Sequence, residues 1–101
     1  MVLNKTGLSQ PPILVTVAGS VTLAGPNPGR ITLVLPSGTT NRYTIGFGTV
    51  ATLDQGITIP PNTSPMVLAY EDFGDALQQA ITAISAVADQ VVAAVDIARA
   101  P

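Results

Sequence analysis

Three neighbouring carboxylates are the side chains of this sequence whose types and spacing could support chemistry. Glu71, Asp72 and Asp75 could hold a Ca²⁺ ion if loop carbonyls completed its coordination shell. Their spacing does not match the calcium-binding loop pattern. At the start of a helix the same acids would accept hydrogen bonds from the first-turn amides and face the positive end of the helix dipole. We interpret them as helix-capping residues and predict no metal site.

No catalytic base accompanies the many serines and threonines. The sequence has no Cys and no His, so it lacks the thiolate nucleophile, the imidazole base and the usual zinc ligands. Lys5 is left as a candidate base in a polar N-terminal segment, and Asp54 has no second acid before Glu71 to form a catalytic pair. Gly46-Phe47-Gly48 lacks the third glycine and the lysine of phosphate loops. We predict that the protein is not an enzyme and binds no cofactor.

The few charges also restrict the class of partner. Four cations, Lys5, Arg30, Arg42 and Arg99, against six acids give a net charge of −2 and no basic stripe for phosphates, so we predict no nucleic-acid partner. Arg30 and Arg42 begin adjacent predicted strands and are candidate contacts with a partner's carboxylates, the alternative being a role in solubility. Prolines and glycines interrupt the uncharged stretch Thr6–Gly29, so we predict no membrane-spanning segment.

The elements that position these residues are short strands over residues 13–70. Apolar residues alternate with threonines, and Gly, Pro and Asn occur at each break. The alternating residues are Val15, Val17, Val21, Leu23, Ile31, Leu33, Leu35, Tyr43, Ile45 and Phe47. This pattern predicts a small antiparallel β-sandwich or barrel of five or six strands. Residues 1–12 are polar and turn-prone, and we expect an extended N-terminal arm there.

The composition changes after residue 70 and predicts one long amphipathic helix within residues 71–101. From Asp75 to about Ala98 there is no Gly or Pro, and alanine is abundant. Apolar residues alternate at spacings of four and three, as in a coiled-coil seam. They are Leu77, Ile81, Ile84, Ala88, Val91, Val95 and Ala98. The seam predicts a homo-oligomer, with a trimer favoured, and the alternative is that the helix packs on the chain's own sheet.

The overall composition also predicts association. Apolar residues make up 47% of the sequence and charged residues only 10%. A domain of this length buries only about 60 to 65% of the surface of its unfolded chain. One small core therefore leaves apolar surface exposed, and we expect that surface to contact a second copy or another protein.

Four short runs follow one another in a distinctive order. They are Pro-Asn-Pro-Gly-Arg-Ile-Thr-Leu-Val-Leu (26–35), Tyr-Thr-Ile-Gly-Phe-Gly (43–48), Gly-Ile-Thr-Ile-Pro-Pro-Asn (56–62) and Leu-Ala-Tyr-Glu-Asp-Phe-Gly-Asp-Ala-Leu (68–77). In this order they resemble small accessory proteins encoded among tailed-phage structural genes. In that group the segment after the last run usually continues as a strand with an aromatic residue, whereas here the composition predicts a helix. The resemblance implies a β-sandwich that decorates or cements a capsid, or forms part of a head fibre, and it carries over no catalytic residue.

We therefore expect a structural virion protein on the capsid surface, a decoration or cement protein that binds the major capsid protein and associates with itself. One alternative is a head-fibre, neck or tail component of the same particle. Another is a cellular ligand-binding β-sandwich, which should present a concave face with aromatic residues. The aromatic residues available for such a face are Tyr43, Phe47, Tyr70 and Phe73.

Overall fold

Strands make up most of the regular structure. The computed structural model describes residues 5–39 and 41–99, and within them lie ten strands. In chain order they are β1 (Lys5–Ser9), β2 (Ile13–Val15), β3 (Val21–Ala24), β4 (Arg30–Leu35), β5 (Tyr43–Phe47), β6 (Ile57–Ile59), β7 (Met66–Ala69), β8 (Ile81–Ser85), β9 (Gln90–Val92) and β10 (Val95–Arg99). One helical turn, α1 (Tyr70–Phe73), and a 3₁₀ turn (Gly74–Gln78) separate β7 from β8. The prediction of a mainly β, antiparallel fold is confirmed.

Two four-stranded antiparallel sheets and a short ribbon build the molecule. The first sheet has the strand order β1-β10-β4-β7, and the second has the order β3-β8-β5-β6. The ribbon pairs β2 with β9. Six strands, β2 to β7, lie within residues 13–70, where the alternating pattern predicts five or six. The described residues contain no helix that is long and apolar enough to cross a membrane.

The first three strands of the described residues pair with the last three. Residues 5–24 run antiparallel to residues 81–99, as β1 with β10, β2 with β9 and β3 with β8. This double strand begins in the first sheet, forms the ribbon and ends in the second sheet. The pairing therefore links the two sheets and encloses one core between them.

The core contains inward residues of both sheets and of the ribbon. It consists of Val15, Leu23, Ala24, Leu33, Leu35, Tyr43, Ile45, Ile59, Leu68, Leu77, Ile81, Ala83, Val92 and Ala94. Fully burying a side chain such as Leu or Ile contributes about 1.5 to 3 kcal/mol. Because the ribbon and the 3₁₀ turn both contribute members, the residues that follow position 70 belong to the same core as the strands that precede it.

The prediction of a long C-terminal helix is wrong. Residues 81–99 form β8, β9 and β10, and the helical residues after position 69 are those of α1 and the 3₁₀ turn. Alanine favours a helix by less than about 1 kcal/mol per residue, which tertiary pairing overrides. Here residues 5–24 supply backbone hydrogen bonds to all three strands, and this pairing is too distant in sequence for local composition to reveal.

The residues predicted to line a coiled-coil seam do not share a face. Leu77 and Ile81 are buried in the core, whereas Val91 is exposed. Ile81 and Ile84 are three residues apart in one strand and therefore project from opposite faces. The others are Ala88 in the β8–β9 loop and Val95 and Ala98 in β10. The seam from which a trimer was predicted therefore does not form.

The predicted N-terminal arm also contains a strand. Residues 5–9 form β1 at the edge of the first sheet and pair with β10 along their whole length. The rest of the arm that the structure describes, residues 10–12, joins β1 to the ribbon, and Gln10 N–H donates to the Ala94 carbonyl at 2.8 Å. Residues 1–4 of the predicted arm lie outside the described residues.

Candidate functional site

The C-terminal segment alternates between core and surface across β9 and β10. Three consecutive inward positions are buried, namely Val92, Ala94 and Asp96. The positions between them face outward and are exposed or half-buried, namely Val91, Ala93, Val95 and Ile97. Both sets are almost entirely apolar. A strand that faces water on one side normally carries polar residues there, so the outward set is the unusual one.

Residues of three other strands extend this outward row across the first sheet. Leu14 is the cross-strand partner of Val91 in the ribbon. Val34 lies between Val95 on one side and Val67 on the other. We call the combined surface the outer stripe, which comprises Leu14, Thr32, Val34, Val67, Ala69, Val91, Ala93, Val95 and Ile97. It runs without a break from the ribbon onto the edge strand β7.

The outer stripe is uncharged and open. Leu14 and Val91 are each 53% exposed, and Val67 is 60% exposed. Thr32 supplies the single hydroxyl among its members. Contiguous apolar surface of this kind on a small domain marks a site of contact with another protein surface. The outer stripe is therefore the candidate binding surface of the molecule.

The outer face of the second sheet has a different character. Thr22 pairs with Thr82 and Thr44 pairs with Thr58, so this face presents hydroxyls. The loop of residues 48–56 covers part of it, and its Asp54 N–H donates to the Thr44 hydroxyl at 3.0 Å. The outer face of the second sheet is thus partly polar and partly covered by the chain's own loop. Among the described residues, the outer stripe has neither a row of hydroxyl groups nor a covering loop.

A shallow, open groove of about 410 Å³ lies on that threonine-bearing side. Its lining residues are Ser20, Val21, Thr22, Gly48, Thr49, Val50, Ala80 and Thr82. The Ser20 hydroxyl accepts a hydrogen bond from the Ala51 amide at 2.9 Å, and the Thr82 hydroxyl donates to the Thr49 carbonyl at 2.6 Å. None of the lining residues is charged or aromatic. The groove therefore provides no acid, base or stacking surface for a ligand.

Arg30, which was predicted to contact a partner, instead forms an internal ion pair with Asp96. Its side chain is fully buried, and two of its nitrogens donate to the Asp96 carboxylate at 2.8 and 2.9 Å. It also donates to the carbonyls of Leu77, Gln79 and Gly25, each at 2.9 Å. All five guanidinium N–H groups thus have acceptors. The prediction fails because the pairing of β4 with β10 shifts at this point, which turns a residue expected on the outer face toward the core.

Arg42, the other predicted partner contact, pairs with the chain's own Asp54. Two nitrogens of Arg42 donate to the two Asp54 oxygens, each at 2.8 Å, and both side chains are about half exposed. The hydrogen bonds from Arg42, with its positive charge, lower the pKa of Asp54, and the same pairing raises the pKa of Arg42. In this arrangement the guanidinium is already occupied by an internal carboxylate.

A buried amide and hydroxyl network holds the β8–β9 loop and was not predicted from the sequence. The Asn41 side-chain oxygen accepts hydrogen bonds from the Ser85 hydroxyl at 2.9 Å and from the amides of Ala86 and Val87 at 3.1 Å. The Gln90 amide donates to the Ser85 hydroxyl at 2.8 Å. A polar residue at the start of a predicted strand is an ordinary turn residue, so no local signal distinguished Asn41.

The three acids predicted to cap a helix do not do so. Helix α1 begins at Tyr70, and no side chain caps its first amides. Glu71 and Asp72 lie within this single turn, and the Asp75 carboxylate accepts a hydrogen bond from the Tyr70 hydroxyl at 2.7 Å. In the part of the chain that the structure describes, no group of three acidic side chains is placed to hold a metal ion.

The four aromatic side chains do not form a common platform. Tyr43 is fully buried, and Phe47 packs against Phe73 with ring centroids 5.7 Å apart. Both phenylalanines also pack against the core, which leaves Tyr70 as the exposed aromatic residue. A sugar-stacking face of the kind expected for a ligand-binding sandwich is therefore not assembled from these residues.

No family model, no curated protein and no solved structure matches this chain. The candidate site therefore rests on the geometry of the outer stripe. Two of the seven residues predicted for self-association, Val91 and Val95, belong to it. The other stripe residues were missed, although the run Val91–Val95 is apolar at every position and so fits a strand with two covered faces.

Proposed function

We propose that this protein is a structural component of a tailed-phage particle, a capsid decoration or cement protein on the capsid surface with the major capsid protein as its partner. The observation that supports the proposal is the outer stripe, an uncharged and apolar sheet face whose exposure to water is unfavourable. A protein that works as part of an assembly can cover such a face in the assembled state. The apolar area removed from water then contributes about 25 cal/mol per Å².

The placement of the four sequence runs supports the resemblance on which the proposal draws. The turn at 26–29 opens β4, the second run coincides with β5, the third contains β6, and the fourth spans the end of β7, α1 and the 3₁₀ turn. The phage group usually continues after that point with a strand that carries an aromatic residue, whereas β8 is a strand without one. The order of turns and strands therefore follows the pattern, and the missing aromatic residue departs from it.

The alternatives differ in how many copies a particle contains. A head-fibre, neck or tail component would occur in a few copies, whereas a shell-wide decoration protein occurs in numbers comparable with those of the capsid subunit. The cellular ligand-binding module has less support, because the groove on the second sheet lacks charged and aromatic lining residues and three of the four aromatics lie in or against the core.

Quantitative mass spectrometry of purified particles tests the proposal. We expect a copy number comparable with that of the major capsid subunit. A few copies per particle would instead indicate that the protein is a fibre, neck or tail component. Complete absence from the particles would contradict a virion role and return the ligand-binding module to consideration.

A further inference from the structure

We infer that the outer stripe is covered by the outer stripe of a second copy of this chain, in a two-fold, face-to-face dimer. The inference rests on the proposed role of the stripe as a covered surface, and it names a second copy, rather than the major capsid protein, as what covers it. It replaces the helical seam as the means of self-association. A face that meets its own copy about a two-fold axis closes after two subunits, so the geometry gives a dimer.

The side chains of the stripe suit the packing of one sheet on another. Valines predominate, as in Val34, Val67 and Val91, and the remainder are Ala, Thr, Leu and Ile. Inward faces of stacked sheets carry such residues and lie about 10 Å apart with their side chains interdigitated. Valine rows on one copy can therefore fill the spaces between valine rows on the other without a large side chain to prevent close approach.

The distribution of charge favours a second copy over a charged partner surface. The stripe has no charge to pair with a partner, and an opposing charged surface would lose its hydration without compensation. The chain's surplus acids lie elsewhere, because Glu71 and Asp72 are in α1, Asp75 is in the 3₁₀ turn and Asp89 is in the β8–β9 loop. Two copies can therefore meet along the stripe without bringing these acids into the interface.

The size of the stripe sets the expected strength of the dimer. Three sheet strands, β10, β4 and β7, about 4.8 Å apart and about five residues long at about 3.4 Å each, with the two strands of the ribbon added, give a footprint of about 350 Å². Two such faces bury about 700 Å², below the roughly 1,200 Å² at which stable specific interfaces begin, so the contact is a weak one. We therefore expect a dimer that forms and dissociates in the micromolar range of concentration.

Sedimentation velocity of the full chain over a concentration series tests the inference. We expect a shift from the 10.3 kDa monomer to a species of twice that mass as the concentration rises through the micromolar range. The variant carrying Val67→Glu and Val91→Glu should raise the dissociation constant by at least about tenfold. Both positions are more than half exposed, so the variant retains its core.

The matched control carries Val50→Glu and Val87→Glu, which add the same charge at two valines that are 75% exposed and lie outside the stripe. It should dimerise like the unmodified chain. A chain that stays monomeric at high micromolar concentration, forms trimers, or dimerises equally well with both stripe glutamates present would overturn the inference. A monomer that still occurs at high copy number in particles would refute the dimer alone, and a dimer missing from particles would refute the virion role alone.

Discussion

Arg30 illustrates how a single charge can be accommodated inside a small, mainly β protein. Its five N–H groups reach the Asp96 carboxylate and three main-chain carbonyls from three parts of the chain. The Gln10 amide donates to the same carboxylate at 2.9 Å. The cluster thus joins the start of β4, the 3₁₀ turn, β10 and the segment before the ribbon. Sequence reasoning treats an arginine at the start of a strand as exposed, because the shift in strand pairing that buries it has no local signature.

Replacing one partner of the Arg30–Asp96 ion pair should destabilise the fold more than replacing both partners. Arg30→Met leaves the Asp96 carboxylate buried without its partner, and we expect a loss of about 3 to 5 kcal/mol in the free energy of unfolding. The double variant with Asp96→Leu should be less destabilised than the sum of the two single variants, because no uncompensated charge remains. Urea unfolding of the four proteins measures this coupling. Additive losses would mean that Arg30 and Asp96 act independently.

Tyr43 should make the fold sensitive to alkaline pH. Its burial raises the pKa of the phenol above the ordinary value, and its hydroxyl donates to the Pro36 carbonyl. The folded state therefore holds the proton more tightly than the unfolded state, whose pKa is about 10. The contribution of the Tyr43 phenol to the free energy of unfolding is therefore fully present below about pH 10 and falls as the pH rises further. Urea titrations across that range should show the loss in the native chain and not in Tyr43→Phe, and an equal loss in both would refute the assignment to Tyr43.

At the scale of elements, the β8–β9 loop depends on a residue far away in sequence. The Asn41 oxygen accepts from the amides of Ala86 and Val87, and the Ala86 amide also donates to the Arg42 carbonyl at 3.1 Å. We expect Asn41→Ala to accelerate hydrogen exchange at Val87, and to a smaller degree at Ala86, more than at the amides of β5 and β8. Thr63→Ala, in an exposed loop, is the control. Unchanged exchange at Ala86 and Val87 would show that other contacts hold the loop.

Most strands of residues 13–70 could be predicted, whereas β1 and the strands after residue 70 could not, for a physical reason. In residues 13–70, strands such as β5 and β6 alternate apolar residues with threonine or glycine, and Gly, Pro or Asn occurs in the intervening turns, so period and boundary are both local, although β2 and β7 are apolar throughout. In 81–99 the strands are apolar on both faces or rich in alanine, and only a pairing partner more than fifty residues away distinguishes them from a helix. For the same reason the outer stripe was not recognised in the sequence, because its apolar residues alternate with those of the core. Composition nevertheless predicted association.

At the scale of the whole molecule, the pairing of residues 5–24 with residues 81–99 should make folding all-or-none. Strand β10 lies between β1 and β4, so its removal separates the edge strand from the rest of the first sheet and takes Asp96 from Arg30. We expect a chain that ends at Ala94 to lose cooperative thermal unfolding. A chain that ends at Arg99 serves as the control and should unfold with a single transition. A sharp transition in the shorter chain would mean that the other strands fold without β10.

The register of the same pairing has a practical consequence for engineering. Lys5 and Arg99 are cross-strand partners, so their Cα atoms are neighbours at one end of the first sheet. Segments fused directly to Lys5 and to Arg99 would therefore leave the molecule side by side. The two halves of a split reporter, one fused to each end, would be brought together by every correctly closed copy and separated whenever the end strands come apart, which makes the chain a sensor of its own integrity.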